Sequence, residues 1–95
     1  MIKSFKHNGL EQFWTDGVTR RLPVSGAARF ARLRTQLVHL NGAVQPSDMN
    51  LPGWRWHPLG DMRPGFYSVT VTGNYRLTYR WEAGNALDLN IEDYH

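Results

Sequence analysis

Three adjacent residues at the end of the sequence, Asp93, Tyr94 and His95, carry a carboxylate, a phenol and an imidazole. His57 stands in a Trp-His-Pro run, and Arg76 lies just after the Gly73-Asn74 pair. Brought together, these side chains suit one reaction class, the cleavage of RNA by its own 2′-hydroxyl. A base must take the 2′ proton, a cation must stabilise the equatorial phosphate oxygens, and an acid must protonate the departing 5′ oxygen. Two histidines and a carboxylate can make the proton transfers, each contributing roughly 10²–10⁴-fold. Arg76 can stabilise phosphate charge, and Tyr94 can stack a base and hold the scissile step. The chemistry requires neither a metal nor an organic cofactor.

Each residue also has a plainer reading. His57 can cap a loop through a backbone hydrogen bond. Arg76 can pair with Asp88 or Glu92 on a neighbouring strand. Tyr94 can tuck into the edge of the core, and His95 can fray with the chain end. Imidazole and carboxylate also suit zinc, which makes His57, Asp93 and His95 formal ligand candidates. No His-x-x-x-His pair supports such a site. His7 and His39 read as surface residues without a role.

The elements that must position these groups follow from periodicity. Residues 2–5 read as a short first strand, broken at Asn8-Gly9. Asn8 is the expected cap of a short helix over 10–15, with Leu10, Phe13 and Trp14 on one stripe. Ser25 is the expected cap of a second helix. Its stripe is Ala27, Phe30, Leu33, Leu37 and Leu40, and Asn41-Gly42 closes it. Arg29, Arg32 and Gln36 fall off that stripe, on an expected outer face. Residues 46–52 read as a loop. In the extended stretch 53–59, Trp54 and Trp56 share one side and Arg55 and His57 the other. Residues 66–71 form a strand, Gly73-Asn74 signals a tight hairpin, and 75–81 return. Gly84-Asn85 permits positive φ at the next turn. Leu87, Leu89 and Ile91 then alternate with Asp88, Asn90 and Glu92 in a final strand.

This order is an α+β layer, a short first strand and two helices packed on one face of a small antiparallel sheet. The other face carries Arg76, Thr78, Arg80, Asp88 and Asn90, and is expected to meet water or a polar ligand. A meander keeps its outer strands apart, so alternation does not by itself bring His57 to the chain end.

Composition narrows the classes. At 95 residues the chain reads as one domain, residues 1–95, with a core that buries roughly 60–65% of the unfolded surface. Cysteine is absent, which removes disulfides and thiolate zinc sites and suits a reducing compartment. No apolar run approaches the roughly 20 residues of a membrane span, and the first residues lack a signal-peptide core. The expected location is the cytoplasm. Net charge is +3, and nine of the eleven basic residues are Arg, whose planar fork suits phosphate. Arg20, Arg21, Arg29, Arg32 and Arg34 lie in a stretch from 17 to 47 with no acidic residue. That stretch is a candidate phosphate-binding flank.

The chain resembles the HigB group of RelE/ParE-superfamily toxins, the killer components of bacterial type II toxin–antitoxin modules. The resemblance spans essentially the full length. It rests on the Met-Ile-Lys-Ser-Phe-Lys-His opening, Leu51-Pro52-Gly53, His57-Pro58-Leu59, the run from Thr72 to Thr78, and the closing Asn90-Ile91-Glu92-Asp93-Tyr94-His95. It implies a RelE-like fold and an mRNA endonuclease acting on codons presented by the ribosome. It also implies a HigA-like helix-turn-helix antitoxin that inhibits the toxin and represses the operon. By the same resemblance, His57, Asp93, Tyr94 and His95 match catalytic positions, and Arg76 matches the phosphate-contacting arginine. The family pattern has a lysine just after His-Pro-Leu and another basic residue beyond Arg63. Here Gly60 and Pro64 stand in those places, so cleavage is expected to be weaker or to lean on Arg55, Arg63 and Arg80. Two alternatives stay open: a non-catalytic basic module that binds RNA or protein, and a gyrase-directed toxin of the ParE kind. A gyrase poison has no need of an imidazole pair.

Overall fold

Helix α1, Asn8–Asp16, and helix α2, Ala27–Asn41, pack over a four-stranded antiparallel meander in a computed structural model that describes residues 1–93. The strands are β1 His57–Pro58, β2 Phe66–Thr70, β3 Tyr75–Glu82 and β4 Asn85–Asp93, in that spatial order. Leu10 and Phe13 from α1 and Leu33, Leu37 and Leu40 from α2 meet Val69, Leu77, Tyr79, Leu89 and Ile91 from the sheet. The expected α+β layering and RelE-like architecture are present. Among the described residues no helix is long and apolar enough to cross a membrane.

Several local expectations need correction. Residues 2–5 do not form a regular strand. They make two isolated parallel bridges to β4, Ile2 to Ala86 and Phe5 to Leu89. The interruption has a cause in β4, where Asp88 takes φ 53° and the register to β3 shifts between Thr78 and Arg80. Ser4 fills the gap, its Oγ accepting from Asp88 N at 2.8 Å. His7, not Asn8, caps α1: its Nδ1 accepts from Leu10 N at 3.1 Å. Gly26, with φ 97°, takes the cap position of α2 in place of Ser25, and no side chain caps that end.

Gln36 is buried rather than outward-facing. Its Nε2 donates to Thr70 O at 2.9 Å, which explains a polar side chain under the helix. Within 46–52, Pro46–Met49 form a short 3₁₀-helix. Pro46 O accepts from the Tyr79 hydroxyl, which in turn accepts from Trp56 Nε1, both at 2.9 Å.

The β2–β3 hairpin exists, but neither Gly73 nor Asn74 has positive φ. Thr72 shapes the turn instead, its Oγ1 accepting from Asn74 N and Tyr75 N, both at 3.2 Å. At the β3–β4 turn the positive-φ pair is Ala83 and Gly84, one residue earlier than expected. Gly9 is sterically required, since a Cβ there would lie 2.5 Å from Arg21 O.

Candidate active site

The sheet face away from the helices is not simply wet. Ser68 and Thr78 sit in its middle, 1% and 0% exposed, so side chains above them close that face over. Strand register lines up His57, Ser68, Thr78 and Asn90, one from each strand. A parallel row holds Thr70, Arg76 and Glu92. Neighbouring strands lie about 4.8 Å apart, so the backbone of His57 is about 10 Å from β3 and about 14 Å from β4. Two long side chains, His57 and Arg76, can therefore reach one group placed over Ser68 and Thr70.

His57 Nδ1 lies 3.1 Å from Arg55 O. A carbonyl oxygen can only accept, so Nδ1 bears the proton, and in the neutral ring Nε2 keeps its lone pair. Ser68 Oγ lies 3.5 Å from that Nε2, at the outer limit of a hydrogen bond. The plain reading of His57, a backbone hydrogen bond, is thus part of its functional geometry. Arg55 holds its carbonyl there by adopting φ 50°, a conformation that costs a non-glycine residue about 1–2 kcal/mol. His57, Arg55, Thr70 and Gly73 line a cleft of about 450 Å³.

Glu92 is the carboxylate in the row with Arg76. Both its oxygens accept from Arg63, at 2.9 Å each, and it also accepts from the Thr78 hydroxyl. Burial disfavours the charged carboxylate. Even so, the Arg63 fork, the Thr78 bond and the nearby charge of Arg76 hold it below the usual glutamate range. Of the expected cross-strand pairings of Arg76, the one with Glu92 holds as a register pair with an electrostatic contact, and the one with Asp88 does not. Asp88 binds Arg80 at 2.9 Å, and Glu92 binds Arg63. Sequence reading gave Glu92 only a pairing role and missed Ser68, although alternation on 66–71 already places Ser68 beside Phe66 and Thr70.

Five of the arginines expected to meet RNA, Arg29, Arg32, Arg55, Arg63 and Arg80, separate into three situations. Arg29 is exposed on α2 and Arg55 is exposed in the cleft. Arg63 is engaged by Glu92 and stacks on Phe66 at 4.7 Å, while Arg80 is engaged by Asp88 and Glu82. Arg32 donates to two backbone carbonyls, Gly53 O at 2.8 Å and Thr70 O at 3.2 Å. Of the three expected to compensate for Gly60 and Pro64, Arg55 is the one that lines the cleft. Asp93 pairs in register with Tyr75, on the opposite pleat from Arg76 and Glu92. Tyr94 and His95 lie outside the described residues. His39, expected to be idle, bonds Asp48 O at 2.8 Å and meets Trp54 edge-on.

Two helices on one face of a meander, with an oriented imidazole and arginines on the other, define a small RelE-like domain. The chain matches the family described as the RelE-like toxin of the type II toxin–antitoxin system HigB over residues 3–95, and it belongs to that family. Membership in a toxin–antitoxin system implies an antitoxin partner. It is 39% identical to Endoribonuclease HigB of Proteus vulgaris over 95 residues, the whole of both chains. It is 33% identical to Toxin HigB-1 of Vibrio cholerae serotype O1, covering 99% of this chain and 98% of that one.

Proposed function

We propose that this toxin is an endoribonuclease that cuts mRNA on the ribosome and so arrests translation. The observation that carries the reading is His57, held with its proton on Nδ1 beside a cleft, one strand away from the row that holds Arg76. The name of the Proteus vulgaris relative supports RNA cleavage.

In the proposed reaction a base removes the proton of the substrate 2′-hydroxyl. The alkoxide attacks the adjacent phosphorus, and the P–O5′ bond breaks. The 5′ oxygen leaves with a proton from the acid, giving a 2′,3′-cyclic phosphate and a 5′-hydroxyl. Neutral His57 accepts at Nε2, and protonated His57 donates from the same atom. Arg76 balances the charge that grows on phosphate. Asp93, Tyr94 and His95 supply the second proton transfer and the base-stacking surface, with His95 as the partner imidazole. Arg29 and Arg55 meet the backbone of RNA. The antitoxin is a HigA-like helix-turn-helix protein, and the protein works in the cytoplasm. A site this small relies on the ribosome to orient its substrate.

Purified protein mixed with ribosome complexes on a defined mRNA tests this. Cleavage is expected on the ribosome and not with the same mRNA bare at equal concentration. His57→Ala and Arg76→Ala are each expected to slow cleavage by on the order of 10²–10⁴-fold with circular dichroism unchanged. His57→Ala at the parental rate would overturn the proton-transfer assignment, and efficient cutting of bare mRNA would overturn ribosome dependence.

A further inference from the structure

We infer that Arg32 on α2 is a positioning residue that sets the tautomer of His57, rather than a contact for RNA. This deepens the reading above and rests on it. Arg32 Nη2 donates to Gly53 O at 2.8 Å and to Thr70 O at 3.2 Å, and Nε lies 3.4 Å from Thr70 O. One guanidinium thereby ties the segment before β1 to the end of β2, and both to the helix. Thr70 N closes the link by donating to Trp54 O at 2.8 Å.

The tied segment needs holding. Gly53 has φ 83° and Arg55 has φ 50°, with buried Trp54 between them. Arg55 is a non-glycine residue in a conformation it disfavours alone, so it persists only where its surroundings enforce it. Its carbonyl is the group that accepts from His57 Nδ1. The neutral side chain of a histidine free in water prefers its proton on Nε2, the opposite arrangement. The chain of cause therefore runs from the Arg32 fork to the Gly53–Arg55 turn, to the Arg55 carbonyl, and to a bare Nε2 beside the cleft.

Gln36 makes the inference testable without unfolding the protein. Its Nε2 also donates to Thr70 O, so α2 stays attached to β2 when Arg32 is replaced. The bonds of Arg32 to Thr70 O and Gly53 O disappear, and Gln36 replaces only the first of them. An Arg32→Lys side chain keeps the positive charge but offers a single ammonium where the fork spans two carbonyls.

The experiment compares the parent, Arg32→Met, Arg32→Lys and His57→Ala. Long-range ¹H–¹⁵N spectra of the free protein report which ring nitrogen of His57 carries the proton. Single-turnover cleavage on programmed ribosomes at saturating toxin reports the chemical step. The parent is expected to show the Nδ1–H form. Both Arg32 variants are expected to shift toward Nε2–H and to lose on the order of ten- to hundredfold in the saturated rate, with half-saturation nearly unchanged. If Arg32→Met does not fold, Arg32→Lys carries the same test. Retention of the Nδ1–H form in either folded variant overturns the inference, as does a loss confined to half-saturation in Arg32→Lys. His57→Ala keeps the two ideas apart. Full activity in that variant sinks the catalytic reading itself, whereas an inactive His57→Ala beside fully active Arg32 variants sinks only the positioning role.

Discussion

Glu92 accepts from Arg63 through both oxygens and from Thr78 as well, and that makes it a pH-dependent contributor to stability. The folded protein holds this carboxylate below the ordinary value of 4.5. Its stabilisation is therefore complete above that value and is lost as pH falls through the lower, folded one. Glu92→Gln is expected to lose about 1–2 kcal/mol at pH 7, discounted for partial exposure. The loss should shrink at an acid pH below 4.5, where the parent's own contribution from this carboxylate has begun to fall. Urea unfolding at both pH values checks it, and an equal loss at both would contradict the assignment. Sequence pattern offered Arg76 as a cross-strand partner of Glu92, and the register keeps that pair, but it could not show the guanidinium that arrives from outside the hairpin and takes both carboxylate oxygens. Arg63 arrives from 29 positions earlier.

The elements themselves were largely legible, since each rests on a local period. The second helix was expected from its Leu33, Leu37 and Leu40 spacing, and the final strand from Leu87, Leu89 and Ile91, although the shift at Asp88 sets Leu87 opposite Arg80 and puts Ala86 in the core instead. What escaped was set by contacts between elements. Gly9 looked like a strand breaker, yet α1 passes so close to the backbone at Arg21 that a Cβ cannot fit. Gly9→Ala is expected to destabilise by about 1–3 kcal/mol, which lowers the midpoint by roughly 4–8 °C per kcal/mol in a domain of this size. The β3–β4 turn makes the opposite case. Ala83 takes φ 53° ahead of Gly84 at φ 79°, a position that favours Asn. Ala83→Asn is expected to raise stability by about 0.5–1 kcal/mol, and thermal melts of the two variants read both effects. A stable Gly9→Ala would mean that α1 can shift without cost.

For the molecule as a whole, the nine arginines overstate the charge offered to RNA. Arg63 and Arg80 face carboxylates, and Arg32 faces carbonyls. Contacts by Arg29, Arg55 and Arg76 give an expected slope of about −2 in log affinity against log salt for a single-stranded RNA, against roughly −6 if all the arginines took part. Arg55→Gln is expected to reduce the slope by about 0.7, and Arg63→Gln to leave it unchanged. Fluorescence anisotropy across a salt series measures both. A slope steeper than about −4 would show that arginines beyond these three also meet the RNA, the exposed Arg20, Arg21 and Arg34 or the ion-paired Arg63 and Arg80.

From the sequence alone came the α+β layering, the choice of His57 and Arg76 as chemical groups, and the family that the motif order resembles. These depend on alternation and spacing, which neighbouring residues determine among themselves. The register of β1 to β3 put His57 and Arg76 on one sheet face. The tertiary structure decided which arginines are engaged by carboxylates or carbonyls, which guanidinium takes both oxygens of Glu92, and which ring nitrogen of His57 meets the Arg55 carbonyl. Those outcomes depend on partners as far as 29 and 38 positions apart along the chain, and on a positive φ at Arg55 that no local preference would select. A side chain's chemistry is written in its type, but its availability is set by what the fold brings within hydrogen-bonding distance.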